Sequence, residues 1–132
     1  MLKISYSDTE IALEQLPTTP EAVVARHSIF ALRAGQSVYA QAGCGSLLVP
    51  TQLPEISAFV DRVTDHPLVD IDLCDRAWLE VTLRGVWIAE TPQSEAGILV
   101  TDLGEATEGW LVALWQRGLG WTPEPSQIPK AC

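Results

Sequence analysis

The sequence predicts an α+β fold, mainly an antiparallel β-sheet with a short middle helix and a C-terminal helix. Three observations support this. Several short stretches alternate apolar and polar residues one by one, which is typical of half-buried strands. Only two segments have clear helical periodicity. The chain has 132 residues, and we predict one compact domain over residues 1–121 with a Pro-rich extended tail over 122–132.

The N-terminal part predicts a β-hairpin. Residues 2–7 and 11–16 both alternate in polarity, and Ser7, Asp8 and Thr9 between them are residues that favour turns. The prolines of the segment 17–20 end the second strand.

The next segment is compatible with either a helix or a strand. Thr19 with the following Pro-Glu pair is a typical helix start, and Gly35 is a typical helix end. However, residues 27–32 include aromatic and β-branched side chains that favour a strand. Both alternatives stay open for residues 21–33, and we favour a strand over 28–33. Two short strands are predicted next, at 37–41 and 46–50.

The middle of the chain predicts the short helix and two strands. Apolar residues of 53–63 recur at helical spacing on one face. Residues 68–73 alternate strictly, and 78–84 is the strongest strand pattern in the chain. At Gly85 both faces of that strand become apolar, which predicts a bulge or the entry of the strand into the core.

The last structured part predicts a buried strand over 98–103 and the C-terminal helix over 107–118. Thr107 is a suitable residue for the start of this helix, and Gly118 is suitable for its end.

Charge and composition exclude several classes of function. The chain has 17 acidic and 8 basic residues, a net charge of −9, which disfavours nucleic acids and anionic membranes as partners. No stretch has the roughly 18–20 apolar residues of a membrane helix, and the N-terminus lacks the pattern of a secretory signal. The three cysteines include no CxxC pair, so they suggest neither a zinc ribbon nor a disulfide framework, and a cytoplasmic location is the simplest interpretation. The sequence has no phosphate-binding loop, and we expect no cofactor.

Cys44 is the main candidate for a catalytic residue. A cysteine nucleophile needs a lowered thiol pKa and a base within hydrogen-bond reach, and His27 and His66 are the only histidines. Alternatively, Cys44 is a small buried apolar residue, and Gly43 and Gly45 supply positive φ angles or a bulge. We favour this second interpretation, because the surrounding residues match neither the serine-hydrolase elbow nor the cysteine-protease signature.

Asp70 and Asp72 are weak candidates for a divalent-metal site. They share one face of a predicted strand, and paired carboxylates are ligands that Mg²⁺ accepts. Their spacing does not match the EF-hand calcium loop. A solvated or charge-protected strand face explains the same pattern, and we favour that interpretation.

Trp121 is the candidate residue for an interaction with another protein. Five tryptophans are a high number for a chain of this length, and tryptophan is enriched at protein interfaces. Trp87, Trp110 and Trp115 are expected to fill the core between the sheet and the C-terminal helix, whereas Trp121 adjoins the Pro-rich tail.

The segments EAVVARHSIFALRAGQS, SLLVP, LCDRAWLEVTLRGVWIAE and GILVTDL resemble a family of small uncharacterised proteins from cyanobacteria. The resemblance covers about the first 115 residues. It implies a cytoplasmic bacterial setting, and it supplies no activity and no catalytic residue.

Together these observations favour a soluble, non-enzymatic interaction or assembly protein with an acidic surface. The expected partner is a larger protein with a basic patch. The alternatives are a small cysteine-dependent enzyme that uses Cys44 with His27 or His66, and a small-ligand or divalent-metal binder that uses Asp70 and Asp72.

Overall fold

The computed structural model describes residues 1–118 and, for its backbone alone, the short strand 130–131. The elements in chain order are β1 (Leu2–Tyr6), β2 (Ile11–Gln15), α1 (Pro20–Ala34), β3 (Tyr39–Pro50), α2 (Ile56–Val63), β4 (Val69–Leu73), β5 (Trp78–Ala89), β6 (Gly97–Thr101), α3 (Glu105–Gly118) and β7 (Lys130–Ala131). The predicted α+β class is confirmed, including its antiparallel sheet, its short middle helix and its C-terminal helix. The predicted tail 122–132 lies outside the described residues, apart from the backbone of β7.

All strand pairs of the sheet are antiparallel, and β5 is its central strand. The order is β2-β1-β6-β5-β3-β7, and β4 also pairs with β5. β5 pairs with β3 along its whole length. On its other side it pairs with β4 over its first half and with β6 over its second half. The predicted N-terminal hairpin is confirmed, because β1 pairs with β2 from Leu2–Gln15 to Tyr6–Ile11.

The two faces of the sheet are covered by different helices. On the first face, odd-numbered residues of β5 such as Val81 and Leu83 pack with Phe59 of α2 and Leu111 of α3 in the main core. On the second face, a smaller cluster joins Ile88 of β5 to Val23 of α1, Met1 and Val100. Helix α1 is therefore the described helix that contributes to the core on the second face.

The strand favoured over 28–33 is wrong, because these residues belong to helix α1. The capping residues predict this helix correctly: Thr19 Oγ1 accepts a hydrogen bond from the backbone N–H of Ala22 at 3.2 Å. Gly35 ends the helix in the left-handed conformation, with φ of 68°. Caps stabilise a helix by about 1 kcal/mol each, which outweighs the small cost of one isoleucine and one phenylalanine in its interior.

Three local expectations also change. The strands predicted at 37–41 and 46–50 form one strand, β3, and no break separates them. Gly85 lies opposite Gly43 in an uninterrupted register, so β5 has no bulge there. Both faces of β5 become apolar beyond Gly85, because α1 covers the second face at that end. Finally, α3 begins at Glu105, and Thr107 is buried within its first turn.

Candidate functional site

The candidate functional site is the solvent-facing side of α1. Of the fifteen residues of this helix, only Val23 is buried. Most exposed large apolar side chains of the described residues lie on α1 or just after it. The exposed fractions are 51% for Ile29, 61% for Phe30, 81% for Leu32 and 46% for Tyr39, and the fifth such residue is Leu73 at 66%.

The apolar residues on the outer side of α1 form a regular stripe, which we call the α1 seam. It consists of Ala22, Ala25, Ile29 and Leu32, which are all exposed and follow one another at spacings of three, four and three. At 3.6 residues per turn this places them on the side of the helix opposite the sheet. The spacing is that of the contact positions of a coiled coil.

Charged side chains border the α1 seam on both sides. Arg26 and Arg33 are exposed along one border, and Glu21 is exposed along the other. The seam therefore combines an apolar centre with a charged rim, which is the general composition of a protein interface.

Two open grooves lie beside the inner side of α1. One, of about 650 Å³, is lined by His27 and Phe30 of the helix and by Ile88 and Ile98 of the sheet. The other, of about 490 Å³, is lined by Glu21 and Ala25 of α1 and by Ala42 and Gly85 of the sheet, so it reaches the α1 seam at Ala25. These grooves show that α1 contacts the sheet incompletely.

His27 is neutral at neutral pH because its surroundings disfavour the imidazolium. Partial burial lowers its pKa, and the positive charges of Lys3 and Arg26 lower the pKa further. This histidine therefore opposes folding only when the solution becomes acidic.

We expect the free energy of unfolding to depend less on pH in a His27→Gln variant. In the wild type the unfolded chain takes up a proton near pH 6.5 and the folded chain only at lower pH, so stability falls on acidification from about pH 7.5 to pH 5. The glutamine variant lacks this contribution and should lose less stability over the same window. Urea titrations at both pH values test this, with Ser28→Ala as the control. An equal loss in all three proteins would contradict the expectation.

Cys44 lies in β3, opposite Arg84 of β5 in the sheet register. Its sulfur takes part in a disulfide bond, so in this state it is not a thiolate nucleophile. Neither flanking glycine has the positive φ that was expected, because Gly35 and Gly104 are the described glycines with positive φ. Catalysis by Cys44 stays a prediction that applies to the reduced protein.

The two histidines lie apart from each other in the structure. His66 precedes β4, and its ring nitrogens make hydrogen bonds of 3.1 Å with the carbonyl of Leu103 and the N–H of Leu68. His27 lines a groove that reaches Ile88 of β5. Ile88 lies four residues along β5 from Arg84, which is the residue opposite Cys44. Four residues of a strand span about 13 Å.

Asp70 and Asp72 lie on the solvent-facing side of β4, opposite Thr82 and Glu80 of β5. Asp70 forms an ion pair with Arg84, which occupies one of the two carboxylates proposed as metal ligands. Over the described ranges, no group of three or more histidine, cysteine, aspartate or glutamate side chains is placed to hold a metal ion.

Trp121 lies outside the described residues. None of the described helices is long and apolar enough to cross a membrane.

The α1 seam has a signal in the sequence that the strand favoured over 28–33 obscures. Ala22, Ala25, Ile29 and Leu32 already have heptad spacing in the sequence. Because residues 28–33 were interpreted as a strand, the four positions were not placed on one helix. The five exposed apolar residues could be identified only from the structure.

Comparison with known proteins identifies one family. Comparison with curated proteins and with solved structures yields no match. A family model described as Alr0857-like matches residues 1–119, which include all of β1 to α3. The chain therefore belongs to the Alr0857-like family.

Proposed function

We propose that this protein is a non-enzymatic interaction module whose docking surface is the α1 seam. The observation that carries the proposal is the exposure of the two large apolar side chains of the seam: Ile29 and Leu32 are both more than half exposed. Contiguous exposed apolar surface of this kind marks sites of protein association.

The energetics favour a covered seam. Burial of a leucine or isoleucine side chain stabilises an association by roughly 1.5–3 kcal/mol. Ile29 and Leu32 gain only part of this in the isolated domain, because 51% and 81% of their surfaces stay exposed. A partner that covers the outer side of α1 would recover this free energy.

The charge distribution supports a partner that has a basic patch, separate from the surface with which it covers the α1 seam. The net charge of −9 favours association with a basic protein. Asp72, which is exposed, and Glu80, which is partly exposed, lie side by side on neighbouring strands and provide negative charge at the β4 end of the sheet. The proposal includes the cytoplasmic, cyanobacterial setting that the family resemblance implies. Cys74 is free and exposed whereas Cys44 is disulfide-bonded, so the setting rests on the family resemblance and not on the cysteines.

We expect Leu32→Lys to abolish association without loss of stability. Leu32 is the most exposed of the large apolar residues, and a lysine in the last turn is favourable for the helix. A charged group within the apolar contact would be left unpaired and buried, which is costly. The measurement is affinity capture from a native lysate at low and high salt, followed by cross-linking and mass spectrometry of the captured complex.

Leu73→Lys is the matched control, because it introduces the same charge at an exposed leucine on β4, away from α1. The proposal predicts a protein that is retained by the wild type and by Leu73→Lys, is lost with Leu32→Lys, and is cross-linked to residues of α1. Another copy of this chain counts as such a protein. Equal retention by all three baits would contradict the proposal, as would cross-links confined to other surfaces.

A further inference from the structure

We propose that the α1 seam binds the α1 seam of a second copy of this chain, with the two helices parallel. The inference rests on the proposed function for its docking surface alone: it names a second copy of the chain, itself of net charge −9, in place of a partner with a basic patch. It is carried by the residue types at the seam positions and by the charges on the two borders of the seam.

The seam residues fit a parallel two-stranded contact. If Ala22 is assigned to heptad position a, then Ala25 is d, Ile29 is a and Leu32 is d. A β-branched residue at a with leucine at d favours two parallel helices. The two alanines at the beginning of the seam allow the helix backbones to approach closely.

The border charges are complementary only in the parallel arrangement. Glu21 occupies position g and Arg26 position e of the next heptad. In a parallel pair, position g of one helix lies beside position e of the following heptad on the other helix. Glu21 of each copy therefore lies beside Arg26 of the other. An antiparallel pair would instead bring Arg26 of one copy beside Arg26 of the other.

The position of the seam permits this contact. The seam lies on the side of α1 opposite Val23, which packs on the sheet, so the two domains would extend away from each other. The fifteen residues of α1 span about 22 Å. A contact of two heptads is smaller than a stable interface of roughly 1,200 Å² or more, so we expect a reversible dimer with a dissociation constant between about 1 µM and 1 mM.

Sedimentation equilibrium of the full chain over this concentration range measures the dimer directly. We expect a monomer–dimer equilibrium for the wild type and for Leu73→Lys, and a monomer for Leu32→Lys. A wild type that stays monomeric throughout the range would overturn the inference.

A charge-exchange experiment tests the parallel arrangement. Glu21→Arg and Arg26→Glu should each weaken the dimer by about tenfold, because each replaces two attractive pairs by two repulsive pairs. The double variant E21R/R26E restores both pairs with reversed sign and should dimerise within about threefold of the wild type. The double variant and Glu21→Arg both have the unfavourable arginine at the start of α1. Recovery of dimerisation in the double variant therefore reports the contact between the copies and not the stability of α1.

The results distinguish the inference from the proposed function. If the double variant stays as weak as the single variants, or if Arg26→Ala tightens the dimer, the parallel pair is overturned. If the wild type is monomeric but a different protein is captured through α1, the inference fails and the proposed function stands. If neither a dimer nor a captured protein depends on Leu32, both fail.

Discussion

Replacement of Glu108 by alanine should lower the free energy of unfolding by about 3–5 kcal/mol. Glu108 lies in the first turn of α3 with 1% of its surface exposed. Its Oε2 accepts a hydrogen bond of 2.9 Å from the backbone N–H of Leu103. Its Oε1 accepts one of 3.2 Å from Gln15 Nε2 and lies 3.4 Å from the buried amino group of Met1. The alanine would leave three donors without this acceptor, one of them a cation.

Urea denaturation monitored by circular dichroism measures this loss. Glu108→Gln should cost less than Glu108→Ala, because the amide oxygen can still accept from Leu103 while the charge is removed. Glu105→Ala is the control, since Glu105 is an exposed acidic residue in the same helical turn. We expect this control to change stability by no more than about 0.5 kcal/mol. A similar small change in Glu108→Ala would show that the buried carboxylate does not connect β1, β2 and α3.

The strands were predictable where one face is buried and the other is solvated. β4 and the first half of β5 alternate strictly, because their even-numbered residues face solvent at the end of the sheet that α1 does not cover. Beyond Gly85 both faces of β5 are covered, and the alternation disappears for the same reason. Of the two explanations predicted for Gly85, the bulge is absent and the entry of the strand into the core agrees with the structure.

Helix α1 could not be predicted from periodicity, because it has apolar residues on two opposite sides. Val23 and its neighbours face the sheet, while Ile29 and Leu32 face solvent. Two apolar sides leave no single stripe, and a single stripe is what distinguishes an amphipathic helix from a strand in a short sequence. The same residues that obscured the helix now form the proposed docking surface.

The surroundings of Cys44 depend on contacts between distant parts of the chain. Cys44 lies opposite Arg84 because of the register in which β3 pairs with β5. The two residues are forty positions apart, and the sequence alone does not reveal the register of two such distant strands. Positive φ or a bulge was expected for the two flanking glycines, and the structure has neither there. The reason for Gly45 is instead the close approach of a side chain from β1.

Gly45→Ala should destabilise the protein by about 1–3 kcal/mol, because a methyl group there would overpack the core. A Cβ atom on Gly45 would contact the Tyr6 hydroxyl and would lie 3.0 Å from Leu99 Cδ2. Tyr6 and Leu99 are both buried, and the Tyr6 hydroxyl donates a 3.3 Å hydrogen bond to the carbonyl of Ser46. Neither side chain can move without loss of other contacts. Chemical denaturation measures the change.

A double-mutant cycle with Tyr6→Phe separates this contact from other effects of the alanine. Tyr6→Phe alone loses one hydrogen bond and should cost about 0.5–1.5 kcal/mol. In that background the closest obstacle to the new methyl group is removed, so Gly45→Ala should cost less, with a coupling energy of about 1 kcal/mol. Gly109→Ala is the matched control: its Cβ would lie 3.4 Å from Gln15 Oε1, and alanine should stabilise the interior of α3. If the cost of Gly45→Ala is the same with and without the hydroxyl, contact with Tyr6 is not the reason for a glycine beside Cys44.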